Sequence, residues 1–368
     1  MMALIYTTLS GSHVTTYDSP AAKEAAAEAE KNVVTIEEEG LTLLKNDNNT
    51  LPLKEGTKIN VFGSAAFGLF YGNGGSGSFQ TDGRATSFPR YATKLEVALQ
   101  EEGFEINQNI FNMIKNYYSS NKKTISVAES DYNIECGYNV FNYAEIVDSK
   151  DPRDFEAPVS AYNETRFTEL NGKTLLEDAR EYSDTALFVI TRRGSEGEDM
   201  TYKDLSLSAT EKAIIEMLEN NFAHVIILFN VPTAIEAPML DDAKIGAALF
   251  IGHPGLTGTT AIAEVLSGKV NPSGHLNDTW PYDIKSAPSY QSFGNDTTLS
   301  YTGGSTGKFV NYYENIYVGY RYYTTRGMVD PDYNYDEEVQ YSFGHGLSYT
   351  TFDESISNFT VDESKQTI

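Results

Sequence analysis

The sequence predicts an α/β fold in which a mostly parallel sheet carries helices on both faces, an α/β sandwich. Strand and helix patterns alternate along the chain, as they do in sheets built from strand–helix–strand units. The runs 185–190, 225–229 and 245–251 are almost entirely apolar, which is typical of strands buried on both faces. Of the 368 residues, 40% are hydrophobic and 21% charged, a composition that permits a large packed core.

The N-terminal part is expected to be an arm followed by a helix. Residues 1–19 show no periodicity. From Pro20, apolar residues recur at three- and four-residue steps as far as Leu43 and Leu44, which predicts a helix through that point. Ser19 before Pro20 suits a helix start, with serine as the cap and proline in the first turn. The polar residues 47–52 then predict a turn.

The central elements follow in order. Strands are predicted at 59–62, 104–106, 185–190, 225–229 and 245–251. Helices are predicted at 91–102, 110–118, 175–182, 208–220 and 257–266. Ser208 with Glu211 has the spacing of a capping box, and Gly268 is placed to close the last of these helices. Residues 119–165 are polar and aromatic, and they are expected to form a long excursion with some helix.

The C-terminal part changes character twice. Residues 283–311 are rich in Ser, Thr, Gly and Asn and predict a long loop. Alternation in 343–352 and 356–361 then predicts the first strand of a β-domain. Few residues remain, whereas a β-sandwich takes roughly 100, so the chain is expected to end inside a second domain. The expected organisation is an arm (1–19), an α/β sandwich (20–342), and a linker with a truncated β segment (343–368).

Charge and composition exclude several functions. A formal net charge of −25 argues against nucleic-acid binding and against an anionic membrane surface, and it suits a neutral substrate. No run approaches the roughly 20 apolar residues of a membrane span, and the N-terminus lacks the basic region of a signal peptide. Cys136 is the only cysteine, so no intrachain disulfide forms. A reducing compartment is favoured, and the expected location is cytoplasmic.

The histidines are scattered, and no clustered Cys/His spacing predicts a metal site. No metal and no cofactor are therefore expected. Residues 72–77 match G-x-G-x-x-G, but nine residues separate them from the 59–62 strand, so the tight strand-to-helix turn of a dinucleotide site is missing. A structural loop is favoured over a phosphate site. A third interpretation is a backbone-rich wall beside a ligand pocket.

A carboxylate stands on a glycine-flanked loop directly after the 185–190 strand. Gly194 and Gly197 let the backbone turn and leave Glu196 uncrowded. The end of such a strand is where open α/β sheets place their ligands. Glu198 and Asp199 are too close in sequence to face Glu196 across a sugar ring, so at most one of the three carboxylates does the chemistry. The alternative is an acidic surface turn.

Nine motifs carry a family resemblance. They lie at residues 39–53, 61–64, 74–78, 195–199, 252–255, 270–276, 280–281, 313–323 and 343–349. Their content and order resemble the α/β sandwich domain of glycoside hydrolase family 3, the β-glucosidase and β-xylosidase type. The last motif leads, in that family, into a fibronectin type III-like domain. The resemblance covers residues 25 to 360, and several motifs in the family's order make it specific.

The resemblance implies a retaining β-glycosidase in which Glu196 is the general acid/base. It also places further residues at the substrate, a β-linked oligosaccharide or glucoside. These are Gly74, Gly75, Ser76, Ser195 and Asp199. The nucleophilic aspartate of the family belongs to a (β/α)8 barrel of roughly 250 residues, for which this chain has no room. The barrel would be a partner in cis or in trans.

The arrangement is similar to the circularly permuted branch, in which the barrel comes last. The chain is then the front half of a longer enzyme, an engineered piece of it or a natural remnant, and it is expected to be inactive alone. A homo-oligomer is compatible with the sequence. The alternative function is a non-catalytic carbohydrate-binding or assembly module. A nucleotide-binding module is a distant third, which the net charge of −25 disfavours.

Some residues depart from the family pattern. Met200 stands where the pattern has arginine, Leu256 and Thr257 replace a Gln-Glu pair, and His275 and Asn277 replace lysine and proline. These departures concern substrate preference more than fold.

Overall fold

A computed structural model describes much of the chain. The described residues are 20–66, 69–73, 92–121, 156–165, 170–194, 196, 200–291, 298–300, 306–308, 312–351, 353, 355–357 and 364. The predicted arm, Cys136 and most of the 119–165 excursion lie outside these residues. Within them, no helix combines the length and apolarity needed to cross a bilayer.

A six-stranded sheet forms the centre of the described part. Its strands are β1 (Thr42–Asn46), β2 (Lys58–Phe62), β3 (Glu105–Ile106), β4 (Thr185–Thr191), β5 (His224–Asn230) and β6 (Ile245–Phe250). The spatial order is β1-β6-β5-β4-β2-β3. β1 runs antiparallel to β6, and every other neighbouring pair is parallel. The prediction of a mostly parallel sheet is confirmed.

Helices cover both faces of this sheet. They are α1 (Pro20–Gly40), α2 (Leu95–Glu101), α3 (Gln108–Asn121), α4 (Val159–Tyr162), α5 (Leu175–Tyr182), α6 (Ala209–Asn221), α7 (Thr259–Ser267), α8 (Tyr320–Val329) and α9 (Tyr335–Glu338). Successive strand side chains point to opposite faces. Phe188 and Phe229 therefore pack with residues of α3 to α6, while Leu187 and Leu228 pack with α2 and α7. Two cores explain why β4 is buried along its whole length.

The caps predicted for α6 and α7 are present, whereas Ser19 lies outside the described residues. At α6, Ser208 Oγ accepts from the Glu211 backbone N–H at 3.2 Å, and Glu211 Oε2 accepts from the Ser208 N–H at 2.7 Å. Gly268 closes α7 in the left-handed conformation with φ 77°. These ends follow local chemistry, because a hydroxyl satisfies a free N–H and only glycine enters the left-handed region without strain.

The predicted continuation of the first helix through Leu43 and Leu44 is wrong. α1 ends at Gly40, and residues 42–46 form the edge strand β1 instead. Leu43 and Leu44 are fully buried on opposite faces of the sheet, one in each core. Pairing with β6 decides the conformation here, since tertiary burial overrides a local helical period.

The C-terminal part contains more regular structure than predicted. The loop predicted at 283–311 holds a hairpin of β8 (Thr298–Ser300) and β9 (Thr306–Lys308). Upstream of it, β7 (Trp280–Pro281) pairs with β10 (Val339–Tyr341). The ring of Trp280 is buried edge-on against Phe229 and Phe250, with centroids 5.4 and 5.8 Å apart. This contact fixes the chain around 280 against the ends of β5 and β6.

The segment after β10 follows the sandwich surface. Within the described residues of 343–352, the β pairing is one antiparallel bridge between Leu347 and Leu43. Tyr349 Oη donates to the Val265 carbonyl at 2.8 Å, and the His345 carbonyl accepts from the Leu276 N–H at 2.8 Å. The start of a fibronectin type III-like domain and the boundaries at residues 19/20 and 342/343 stay predictions.

Candidate active site

The carboxyl ends of β2, β4, β5 and β6 meet at one edge of the sheet, because these strands are parallel. The loops that follow them converge there. Polar side chains at the strand ends fix the loops through hydrogen bonds to backbone groups, which is how buried polar groups are normally satisfied.

Asn230, the last residue of β5, ties three loops together. Its side chain is fully buried. The Oδ1 atom accepts from the Phe70 N–H at 2.7 Å and from Thr191 Oγ1 at 3.0 Å. The Nδ2 atom donates to the carbonyls of Phe70 at 3.0 Å and Gly252 at 2.7 Å. The amide thus fills its donor and acceptor positions and holds the loops after β2 and β6 beside the end of β4.

Arg192, the first residue after β4, closes the base of the loop that carries Glu196. Its guanidinium donates to the carbonyls of Asp204 and Ser206 at 2.7 and 2.8 Å. It also makes a two-pronged pair with Glu211, at 2.7 and 2.9 Å. Both side chains of the pair are 4% exposed. The loop from residue 193 to 203 is therefore pinned at its two ends to the start of α6.

His253, in the loop after β6, holds the backbone of Arg192 at the base of the same loop. Its Nε2 lies 3.0 Å from the Arg192 carbonyl. A carbonyl only accepts, so Nε2 carries the proton in this hydrogen bond. Burial lowers the pKa of His253, and the hydrogen bond to Arg192 partly opposes that change. The neutral imidazole thus supports the loop through its hydrogen bond to the Arg192 backbone.

A further buried carboxyl group, from residue Glu156, contacts the loop that directly follows β2. Glu156 accepts from the Ser64 N–H at 2.6 Å and from Ser64 Oγ at 3.0 Å. Burial raises its pKa from 4.5 to about 7, although the hydrogen bonds from Ser64 oppose the increase. Glu156 anchors the described end of the 119–165 excursion to the sheet.

A cavity of about 710 Å³ opens beside the loop after β4, within the roughly 300–1,000 Å³ typical of small-molecule sites. Glu196 is exposed and lines it, together with Gly194 and Asn73. The Gly194 N–H donates to Asn73 Oδ1 at 3.3 Å. Glu196, the residue predicted to be catalytic, therefore lies on the wall of an open, ligand-sized space.

The rest of the wall comes from distant parts of the chain. It includes two acidic residues, Asp278 and Glu314, and an aromatic set formed by Tyr290, Tyr317, Tyr322 and Tyr323. Desolvation raises the pKa of Asp278, and the Thr279 N–H, 2.8 Å from Oδ1, opposes the increase. Rings and carboxylates are the groups that bind sugars and polar ligands with an apolar body.

The predicted site residues are only partly placed. Glu196 lies at the cavity, whereas Gly74, Gly75, Ser76, Ser195 and Asp199 fall outside the described residues. Asn73 and Gly194, their chain neighbours, do meet at the cavity wall. The catalytic and binding roles stay predictions. No described group of three or more His, Cys, Asp or Glu side chains is arranged to hold a metal ion.

The sequence argument missed Arg192, Asn230, Glu156 and Asp278. The positions of Arg192 and Asn230 could have indicated their roles, because both lie where a buried strand ends. Open α/β sheets bind their ligands at this edge. Nothing local marks Glu156 or Asp278, because their surroundings come from elements distant in sequence.

Comparisons with known proteins agree on one family. Residues 41–349 match the glycosyl hydrolase family 3 C-terminal domain. The chain is 29% identical to β-glucosidase A of Butyrivibrio fibrisolvens, a match covering 85% of this chain and 34% of that protein. It is 30% identical to a β-glucosidase of Ruminococcus albus, covering 89% of this chain and 29% of that protein. The chain thus spans about a third of the relatives it matches.

Solved structures give the same fold. β-Glucosidase 3B from Thermotoga neapolitana, solved in complex with α-D-glucose, superposes with a TM-score of 0.65 at 26% identity. That match covers 94% of this chain and 41% of the other. A β-glucosidase from Paenibacillus barengoltzii gives a TM-score of 0.66 at 23% identity, over 90% of this chain and 31% of the other.

Proposed function

Because this chain belongs to the glycosyl hydrolase family 3 C-terminal domain family, we propose that it supplies the general acid/base of a retaining β-glucosidase. The observation that carries the proposal is the position of Glu196 on the wall of a ligand-sized cavity at the carboxyl edge of the sheet. The relatives' names support a terminal β-linked glucoside as the substrate.

In this mechanism the Glu196 carboxyl group protonates the glycosidic oxygen as the bond to the sugar breaks. A nucleophilic carboxylate takes the sugar, and the Glu196 carboxylate then removes a proton from the water that releases it. The family resemblance assigns the nucleophile to an aspartate of a (β/α)8 barrel. The share of the relatives that lies outside the match leaves room for such a domain in them.

The rigid base beneath the loop supports this role. Acid/base catalysis needs the carboxyl group within hydrogen-bond reach of the leaving oxygen, so its loop must be held in place. The pair between Arg192 and Glu211 provides that hold without occupying the cavity. Glu196 itself stays exposed to substrate.

The test combines the chain with a separately produced family barrel and measures aryl- and alkyl-glucoside hydrolysis. We expect activity only in the mixture. Glu196→Ala should slow alkyl glucosides far more than p-nitrophenyl glucoside, because a good leaving group needs less protonation. Glu216→Ala, at an exposed position on α6, is the matched control. Equal losses on the two substrates would contradict the acid role.

A second function, a non-catalytic sugar-binding or assembly module, draws support from the tyrosine-rich wall of the cavity. It predicts sugar binding by the chain and no hydrolysis with or without the barrel. Hydrolysis by the chain alone that Asp278→Asn abolishes would instead place the nucleophile in this cavity, against the barrel.

A further inference from the structure

The ionisable carboxyl groups among the described residues that line the cavity beside Glu196 have no basic side chain among them. The described lining residues include three carboxylic acids, Glu196, Asp278 and Glu314, and no lysine, arginine or histidine. Ionised carboxylates that share a partly apolar space repel one another, and each of them favours a cation over a neutral group.

Met200 contributes to this imbalance. It lines the cavity, at the position where the family pattern has arginine. A thioether carries no charge and adapts its shape to apolar ligands. The substitution therefore removes a cation from the wall and adds apolar surface in its place.

Two of the carboxyl groups are poorly satisfied by the protein. Glu314 Oε2 is buried and has no hydrogen-bond partner among the described residues. Desolvation disfavours the charged form of Asp278, which accepts a hydrogen bond from the adjacent Thr279 N–H at 2.8 Å. A buried carboxylate oxygen without a partner costs free energy. Because Glu314 lines the cavity, turning this oxygen toward a ligand donor would recover that free energy.

The aromatic part of the wall suits the same ligand. The faces of tyrosine rings attract cations, and rings in this region already do so: Arg326 lies 5.9 Å from the Tyr322 centroid, and Lys285 lies 3.4 Å from that of Tyr202. Neither cation is among the described lining residues. Arg326 is also paired with Asp330 at 3.1 Å.

We propose that this cavity binds a protonated amine attached to an apolar body. The inference rests on the proposed function, and within it the ligand is the amine-bearing leaving group of a β-glucoside. The ammonium group contacts the carboxylates of Asp278 and Glu314, while the apolar body packs against the tyrosines and Met200. The neutral sugar needs no such contacts, so the charge selects the leaving group.

The test measures binding to the intact chain by calorimetry at pH 7. Benzylammonium and benzyl alcohol have the same shape and differ in charge. We expect benzylammonium to bind at least about tenfold more tightly, as a partly desolvated cation beside carboxylates and rings should. Met200→Arg and Asp278→Asn should each reduce this preference several-fold, whereas Glu216→Gln should leave it unchanged. Melting temperatures check that each variant is folded.

Equal binding of the two ligands would overturn the proposal. So would a preference that neither Met200→Arg nor Asp278→Asn reduces in folded protein, since the charge would then act from elsewhere. The readout is binding without turnover, so it is independent of the acid role. If Glu196→Ala leaves hydrolysis intact while the ammonium preference holds, the acid role fails and the cation site stands.

Discussion

The ion pair beneath the loop that carries Glu196 allows a quantitative prediction. Arg192→Met keeps an apolar stem of similar length and removes the guanidinium. Glu211 then remains 4% exposed without its partner, and the carbonyls of Asp204 and Ser206 lose their donors. Removing one member of a buried pair typically costs about 3–5 kcal/mol, because an uncompensated charge stays in the interior. We expect a loss of that size in the free energy of unfolding.

Urea denaturation followed by circular dichroism measures this loss. Lys58→Met is the control, because Lys58 forms an ion pair with Glu105 at 3.9 Å in which both side chains are more than half exposed. Exposed pairs contribute little, so the control should lose far less stability. Arg192→Lys should fall between the two, since lysine keeps the charge but cannot donate in parallel to both carboxylate oxygens. Equal losses in Arg192→Met and Lys58→Met would refute the assignment of Arg192 as the structural base of the loop.

Three further predictions concern the surrounding framework. The folded-state pKa of Glu156 is raised from 4.5 to about 7, so the folded chain holds a proton that the unfolded chain releases. Its stabilising contribution is complete below pH 4.5 and falls by about 3 kcal/mol as the pH rises to about 7; Glu156→Gln should flatten this decline in denaturation series from pH 4.5 to 8. Asn230→Asp should destabilise the chain by about 3 kcal/mol at neutral pH, because a carboxylate cannot donate to the two carbonyls that Nδ2 now serves; a melting temperature within 2 °C or so of the parent, against the several degrees expected, would contradict this. Gly274→Ala would place a Cβ 2.5 Å from the Gly40 carbonyl oxygen and should cost about 2 kcal/mol, whereas Gly40→Ala, with open space around its Cβ, should not destabilise; equal melting temperatures would refute the packing argument.

The parts of the fold that could be predicted from sequence are those in which local pattern and final environment agree. β4, β5 and β6 are short apolar runs whose burial on both faces requires no knowledge of a partner. β1 is different. Its leucines have a spacing that continues the period of α1, and only the pairing of Thr42–Asn46 with β6 makes them a strand. An antiparallel edge strand added to a parallel sheet is specified by a neighbour about 200 residues away, which no local window contains.

The candidate site also contains some features that local sequence predicts and others that depend on contacts between distant elements. The position of Glu196 at the cavity could be predicted because its glycine-flanked loop directly follows an apolar strand; its catalytic role stays a prediction. The support of its loop could not be predicted, since Arg192 and Asn230 act through groups that join separate elements. Glu211 illustrates the limit. The capping box correctly predicted its contact with Ser208, yet the same carboxylate also receives the guanidinium of Arg192. One side chain thus starts α6 and anchors the loop of the proposed acid, so a substitution made to test the helix cap would also disturb the site. Separating the two effects requires Ser208→Ala, which removes the hydroxyl of the cap and leaves the ion pair with Arg192 in place.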